Sequence, residues 1–113
     1  MYQDNVILCA SSAYNKKFWI SDDFKALPEQ IIQELKIMCV LFTEDIGGIL
    51  TLEYEEDGTL VFQVNFDESD YLYDEIGSNL KIKQLQREKS ELLEALELYY
   101  KVFFLGEDAS QHI

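Results

Sequence analysis

The amino-acid sequence predicts an α+β fold, in which two β-hairpins joined by a helix form an antiparallel sheet with helices packed on one face. Apolar residues alternate with polar ones in two pairs of segments, which is the pattern of strands. Between the two pairs, and again in the last third of the chain, apolar residues recur every three or four positions, which is the pattern of helices. The predicted order of elements is therefore ββα-ββ-αα. At 113 residues the chain has the usual size of one domain. We expect a single domain over residues 1–113, with the last few residues disordered.

The first hairpin is predicted near the N-terminus. The apolar run 6–10 indicates a short buried strand, and residues 14–20 alternate enough to pair with it. The apolar run is too short for a membrane span or a signal peptide, and Asp4 rather than a basic residue precedes it. We therefore expect a cytoplasmic protein.

The segment from Pro28 to about Asp45 has the apolar spacing of a helix. One face of that helix would carry Ile31, Leu35, Met38, Cys39, Phe42 and Ile46. Pro28 suits the first helical position, because its missing N–H would have no partner there. Gly47 and Gly48 are the predicted end of the helix.

The second hairpin is predicted over residues 49–55 and 59–66, which alternate around Asp57 and Gly58. Its core-facing side would carry Leu50, Leu52, Tyr54, Leu60, Phe62, Val64 and Phe66. An acidic turn and a short helix are expected over residues 67–77, and a longer helix over residues 80–105. Residues 95–105 carry only two charges. Because a helix that is apolar on more than one face needs a deep core or a partner, we expect part of this segment to lie in a homodimer interface.

The distribution of charge restricts the partners. The chain has 22 acidic residues against nine Lys and Arg, and a net charge of −13. No Lys, Arg or His lies between Lys36 and Lys81, yet this stretch holds eleven of the carboxylates. Such a surface repels nucleic acid and anionic membranes and attracts basic protein surfaces or cations. We expect a protein partner with a basic or amphipathic surface, no nucleic acid and no membrane.

The candidate partner-binding residues are acidic and aromatic side chains of the second hairpin, the acidic turn and the last helix: Glu53, Glu55, Glu56, Asp57, Tyr71, Tyr73, Tyr99 and Phe103. Aromatic residues surrounded by charge are typical of protein-binding surfaces. Aromatic residues near a helix start also pack on a neighbouring sheet, and that interpretation stays open for Tyr71 and Tyr73.

A cation site is the alternative for residues 67–75, because hard cations need several convergent oxygen ligands. Asp67, Asp70 and Asp74 are its candidates. Leu72 stands where a calcium-binding loop requires glycine, and acidic residues at a helix start are stabilised by the helix dipole without any metal. We predict no metal site, with a divalent-cation-dependent enzyme or sensor as the alternative function.

The sequence offers no catalytic set. Its one histidine, His112, is penultimate, and Cys9 and Cys39 do not form a CxxC pair. Ser-His-Asp and Cys-His catalysis therefore lack their usual members. We expect structural thiols, no catalytic residue and no cofactor, hence a non-enzymatic adaptor or chaperone-like module. An acidic nucleic-acid mimic is a further alternative.

Three stretches carry a resemblance to a known family: IMCVLFTEDIGGILTLE (37–53), DYLYDEIG (70–77) and LYYKVFFLGED (98–108). They resemble the blocks of an uncharacterised family of small acidic proteins from anaerobic Gram-positive bacteria. The resemblance covers nearly the whole chain. It implies a self-contained cytoplasmic protein, and it implies no activity, cofactor or catalytic residue.

Overall fold

The secondary-structure elements follow the predicted order in a computed structural model, which describes residues 5–107. They are β1 (Val6–Ser12), β2 (Lys17–Ile20), a short 3-10 turn (Asp22–Phe24), α1 (Glu29–Ile46), β3 (Ile49–Tyr54), β4 (Leu60–Asn65), α2 (Glu75–Glu88) and α3 (Ser90–Phe103). The predicted α+β class and the order ββα-ββ-αα are confirmed. The expectations for the last few residues and for His112 lie outside the described residues.

The four strands form one antiparallel sheet in the order β2-β1-β3-β4. Both predicted hairpins are present, and β1 pairs with β3 at the centre of the sheet. The register between these two strands shifts between Ile7 and Cys9, so that Val6 lies opposite Tyr54 and Cys9 lies opposite Leu52. Leu8 is therefore the extra residue of a β-bulge, and it is fully buried.

The core lies between the sheet and the helices. Three residues of β3 alternate inward as predicted, namely Leu50, Leu52 and Tyr54, and all are fully buried. Their partners on β4 are Val64, Phe62 and Leu60. These six residues belong to the core, or pack against it, together with buried side chains from the three helices.

Phe66 differs from the prediction, because it does not continue the core face of β4. The strand ends at Asn65, and Phe66 is 40% exposed. Its ring stacks instead on Tyr73, with ring centroids 4.4 Å apart. The alternating pattern continued past the true end of the strand.

The helical segments of the last third also begin and end at residues other than those predicted. Residues 67–73 form turns, α2 starts at Glu75, and the helical pattern predicted over 80–105 is divided at Lys89. Lys89 adopts φ −107° and ψ 22°, which is not helical. Leu85 and Leu92 are both buried on either side of it. Since the apolar spacing continues across Lys89, periodicity alone could not locate the break.

A stack of aromatic rings joins α3 to the sheet. The rings of Tyr54 and Tyr100 are parallel within 11°, with centroids 4.1 Å apart. Phe24 stacks on Tyr54 and on Phe104. The Tyr54 hydroxyl also donates a 2.8 Å hydrogen bond to the backbone carbonyl of Leu96. Within residues 5–107, no helix is long and apolar enough to cross a membrane.

Candidate functional site

The most exposed apolar side chains of residues 5–107 lie between β4 and α2. Tyr71 is 92% exposed and Leu72 is 94% exposed. They belong to residues 67–74, which we call the acidic loop. Ile76 and Leu80 follow on α2 and are 76% and 63% exposed. Because these two residues are four apart, they lie on one face of the helix.

Tyr14, in the turn between β1 and β2, holds one side of the acidic loop. Its hydroxyl donates to Oδ2 of Asp70 at 2.8 Å and accepts the backbone N–H of Asp67 at 2.9 Å. The Asp67 N–H lowers the pKa of the Tyr14 phenol, but desolvation and the Asp70 carboxylate outweigh it, so that this pKa is raised. The phenol therefore keeps the proton that it donates to Asp70 at neutral pH.

Tyr73 holds the other side of the loop. Its ring stacks on Phe66, and its hydroxyl donates to Oγ of Ser78 at 2.8 Å. Burial raises the pKa of the Tyr73 phenol, and the nearby carboxylates of Glu75, Asp70 and Asp74 add to this. Of the two predicted tyrosines, Tyr73 thus packs inward and Tyr71 remains exposed.

Carboxylates within the loop fix its backbone. Oδ1 of Asp67 accepts hydrogen bonds from the backbone N–H and the hydroxyl of Ser69, and these bonds hold the Asp67 pKa below its usual value. Oδ1 of Asp74 accepts the N–H of Gly77 at 2.9 Å and caps α2. Several hydrogen bonds therefore order the loop, although its two central side chains are in solvent.

The three cation-site candidates do not converge. Asp67 bonds to Ser69, Asp70 accepts from Tyr14, and Asp74 caps α2. Among residues 5–107, no group of three or more His, Cys, Asp or Glu side chains could hold a metal ion. Each of these carboxylates has a structural role of its own in the loop.

The acidic residues predicted on the second hairpin lie elsewhere. Glu55, Glu56 and Asp57 are exposed in the turn between β3 and β4, and Glu53 is half-buried on the sheet. Asp57 accepts the N–H of Thr59 at 3.0 Å, which lowers the Asp57 pKa. Since β3 is about 17 Å long at 3.3 Å per residue, this turn and the acidic loop lie at opposite ends of the sheet.

The end of α3 lies beside that hairpin turn. Oε2 of Glu97 accepts the backbone N–H of Leu60 at 2.8 Å. Tyr100 is buried in the core, which accounts for part of the apolar character of this segment. Tyr99 is half-buried and its ring lies 4.8 Å from that of Phe103, which is 70% exposed. The predicted partner-binding residues thus form two separate surfaces.

The two cysteines are free and fully buried. A hydrogen bond with Cys39, together with burial, raises the pKa of the Cys9 thiol. Because the thiolate is the reactive form, Cys9 is a poor nucleophile at neutral pH.

Reasoning from sequence did not identify Tyr14 as an anchor of the loop, since it lies 56 residues from Asp70. It also did not single out Ile76. The available signal was the position of this residue beside carboxylates, where an apolar side chain has little neighbouring apolar surface to cover it.

The fold and the surface together define an α+β protein with an ordered acidic loop that displays apolar side chains. Residues 5–108 match DUF6145, a family of unknown function, and the chain belongs to this family. This confirms the predicted membership of a family without an assigned function. No curated protein and no solved structure matches the chain.

Proposed function

We propose that this protein is a non-catalytic interaction module that binds a basic amphipathic segment of a partner protein. The acidic loop and the first two turns of α2 form the proposed binding surface. The observation that carries the proposal is the near-complete exposure of Tyr71 and Leu72 in a loop that Tyr14 and Tyr73 hold in place.

The apolar part of this surface supplies the affinity. Fully burying a side chain of the size of Leu72 stabilises a complex by about 1.5–3 kcal/mol. Tyrosine is enriched among the residues that dominate binding energies, because it combines apolar area with a hydroxyl. The anchored backbone lowers the entropy that is lost when a partner binds, since the loop is already ordered.

The charged part of the surface selects the partner. Five carboxylates, Asp67, Glu68, Asp70, Asp74 and Glu75, lie in nine consecutive residues without a basic residue. A helix with an apolar stripe flanked by Lys or Arg complements both features. Electrostatic attraction of this kind accelerates association and weakens with added salt.

A direct test measures binding of a synthetic amphipathic helix built from Leu and Lys, by fluorescence anisotropy at two salt concentrations. We expect saturable binding that weakens with salt, and a loss of affinity of about tenfold or more in Tyr71→Ser/Leu72→Ser. The matched control is Ile7→Thr/Trp19→Thr, whose two side chains are about half exposed elsewhere on the sheet.

Two results would overturn the proposal. One is unchanged affinity in Tyr71→Ser/Leu72→Ser when its melting temperature equals that of the wild type. The other is equal binding of a peptide in which Glu replaces every Lys. A pull-down from lysate with the same two double variants then serves to identify the physiological partner.

We further propose that the protein is a homodimer, joined through the end of α3. Phe103 is 70% exposed, and Phe104 and Leu105 are each 41% exposed, next to the hairpin turn that carries Glu55 and Asp57. Light scattering at high concentration tests this directly, with a monomer expected for Phe103→Ser. A wild-type monomer would refute the dimer and leave the acidic-loop proposal standing.

The proposed location is the cytoplasm, where free buried thiols such as Cys9 and Cys39 stay reduced.

A further inference from the structure

A pocket of about 790 Å³ opens between the β1–β2 turn and α1. Lys16 and Lys17 contribute from the turn and the start of β2, and Lys36 contributes from α1. Phe18 and Val40 supply apolar walls. The volume falls in the range of pockets that bind small organic molecules, about 300–1,000 Å³.

The charge of this pocket is opposite to that of the molecule. Three of the nine Lys and Arg residues line it, in a chain of net charge −13. The one salt bridge within residues 5–107 joins Lys25 to Asp22, so none of the three pocket lysines forms one. Among the described residues that line the pocket, Glu44 is the one carboxylate. A cluster of unpaired cations in a concave site raises the local concentration of anions.

Two further features support a ligand rather than a solvated surface. Lys16 has a φ of 51°, which lies in the left-handed region that Gly and Asn adopt most readily. The neighbouring Asn15 would suit this conformation better, yet Lys16 is the residue that adopts it. Backbone strain of this kind is concentrated at binding sites. Ser12 is a buried lining residue whose Oγ accepts the N–H of Asn15 at 3.2 Å, so that its hydroxyl proton can be donated to a ligand.

We infer that this pocket binds a small phosphate monoester with an apolar or aromatic body. A phosphate dianion matches three ammonium groups opposed by one carboxylate, and its oxygens accept the donors of Lys and Ser. Phe18 and Val40 cover the carbon body of the ligand. The residues that line this pocket differ from those of the proposed protein-binding surface, which uses the acidic loop and α2.

The test titrates the full chain with phenyl phosphate, inorganic phosphate and benzoate, followed by calorimetry and by amide chemical shifts. We expect phenyl phosphate to bind most tightly, with shifts at Lys16, Phe18 and Val40. Lys36→Gln weakens this binding by about tenfold, which corresponds to about 1.4 kcal/mol. Glu44→Gln strengthens it, because one repulsive charge is removed. The matched control, Lys83→Gln on α2, leaves it unchanged.

Lys16→Gly separates a binding role from a structural one. Glycine adopts the left-handed conformation without strain, so this variant melts at a higher temperature than the wild type. We expect it to bind phenyl phosphate about tenfold more weakly at the same time. If Lys16 served only to form the turn, Lys16→Gly would raise the melting temperature without weakening the binding of phenyl phosphate.

Three outcomes would overturn the inference. The first is no saturable binding of phenyl phosphate up to about 10 mM, a range that covers weak small-molecule affinities. The second is an equal loss of binding in Lys83→Gln and Lys36→Gln. The third is benzoate binding as tightly as phenyl phosphate, which would show that the pocket does not recognise phosphate.

Discussion

The hydroxyl of Tyr14 lies 2.8 Å from Oδ2 of Asp70 and joins the first hairpin turn to the acidic loop. The same oxygen accepts the backbone N–H of Asp67, so one side chain fixes two points of the loop. The order of the loop therefore depends on a residue 56 positions away. The exposed positions of Tyr71 and Leu72 therefore depend on the hydrogen bonds of Tyr14 as well as on the local turn of the loop.

Removing the Tyr14 hydroxyl should loosen the acidic loop. Tyr14→Phe keeps the ring but loses both hydrogen bonds, so the loop will open more often. We expect faster amide hydrogen exchange at Tyr71 and Leu72 and little change in the core strands. Tyr71→Phe is the matched control, because Tyr71 is almost fully exposed and its hydroxyl forms no hydrogen bond within residues 5–107. Equal exchange rates in Tyr14→Phe and the wild type would contradict this role.

Gly48 should not tolerate a side chain. It has a φ of +72°, and an added Cβ would lie 2.8 Å from the Asn65 carbonyl oxygen and 2.8 Å from Cε1 of Tyr73. Gly48→Ala therefore combines the left-handed penalty of about 1–2 kcal/mol with a steric clash, and we expect a loss of stability larger than that penalty alone. Denaturant titration measures this loss.

Gly106→Ala provides the control for Gly48→Ala. Its φ is +73°, and a Cβ there would meet no atom of residues 5–107 within 4 Å. The difference between the two losses of stability isolates the clash with Asn65 and Tyr73. Equal losses of stability would mean that Asn65 and Tyr73 move away from the added methyl group without a further loss of folding free energy.

Stability should fall in alkaline solution because two buried groups resist ionisation. Hydrogen bonding to Cys39 and burial raise the Cys9 pKa above its ordinary 9.0, and burial raises the Tyr54 pKa above its ordinary 10.0. The unfolded chain loses these protons at the ordinary values, whereas the folded chain keeps them. The contribution of each group is therefore complete below its ordinary pKa and declines above it, by about 1.4 kcal/mol per pH unit.

A non-titrating variant tests this origin of the alkaline decline. Cys9→Ala/Tyr54→Phe removes both protons, so its free energy of unfolding should be lower at pH 7 but should fall less steeply above pH 9 under reducing conditions. Tyr71→Phe, which changes an exposed tyrosine, should keep the wild-type slope. If the double variant declined as steeply as the wild type, other groups that lose protons in alkaline solution would be the cause instead, such as the phenols of Tyr14 and Tyr73, whose pKa values are also raised.

The sequence predicted the elements better than the contacts between them. Alternation located β3 and β4, because each is covered by the core on one face only. The division at Lys89 gave no signal, because the apolar spacing continues across it. The lysine pocket was not predictable, since Lys17 and Lys36 are distant in sequence. They line one pocket only because α1 packs beside the first hairpin. The spacing of apolar residues indicates which face of a helix or strand is buried. A binding site also depends on which elements pack against each other, and apolar spacing does not indicate that.

The buried pair of Ser11 and Thr43 should respond unequally to the loss of either hydroxyl. Their oxygens are 2.9 Å apart, and Oγ1 of Thr43 also donates to the backbone carbonyls of Cys39 and Val40. Because Thr43 has a single hydroxyl proton, we expect it to be directed to its own helix, with Ser11 as the donor of the pair. Thr43→Val leaves the Ser11 proton without an acceptor and should cost about 1–3 kcal/mol, whereas Ser11→Ala leaves Thr43 bonded and should cost about 0.5–1.5 kcal/mol. In denaturant titrations the double variant should cost less than the sum of the two, because no unpaired hydroxyl remains. Equal single costs that add in the double variant would show that Ser11 finds another acceptor.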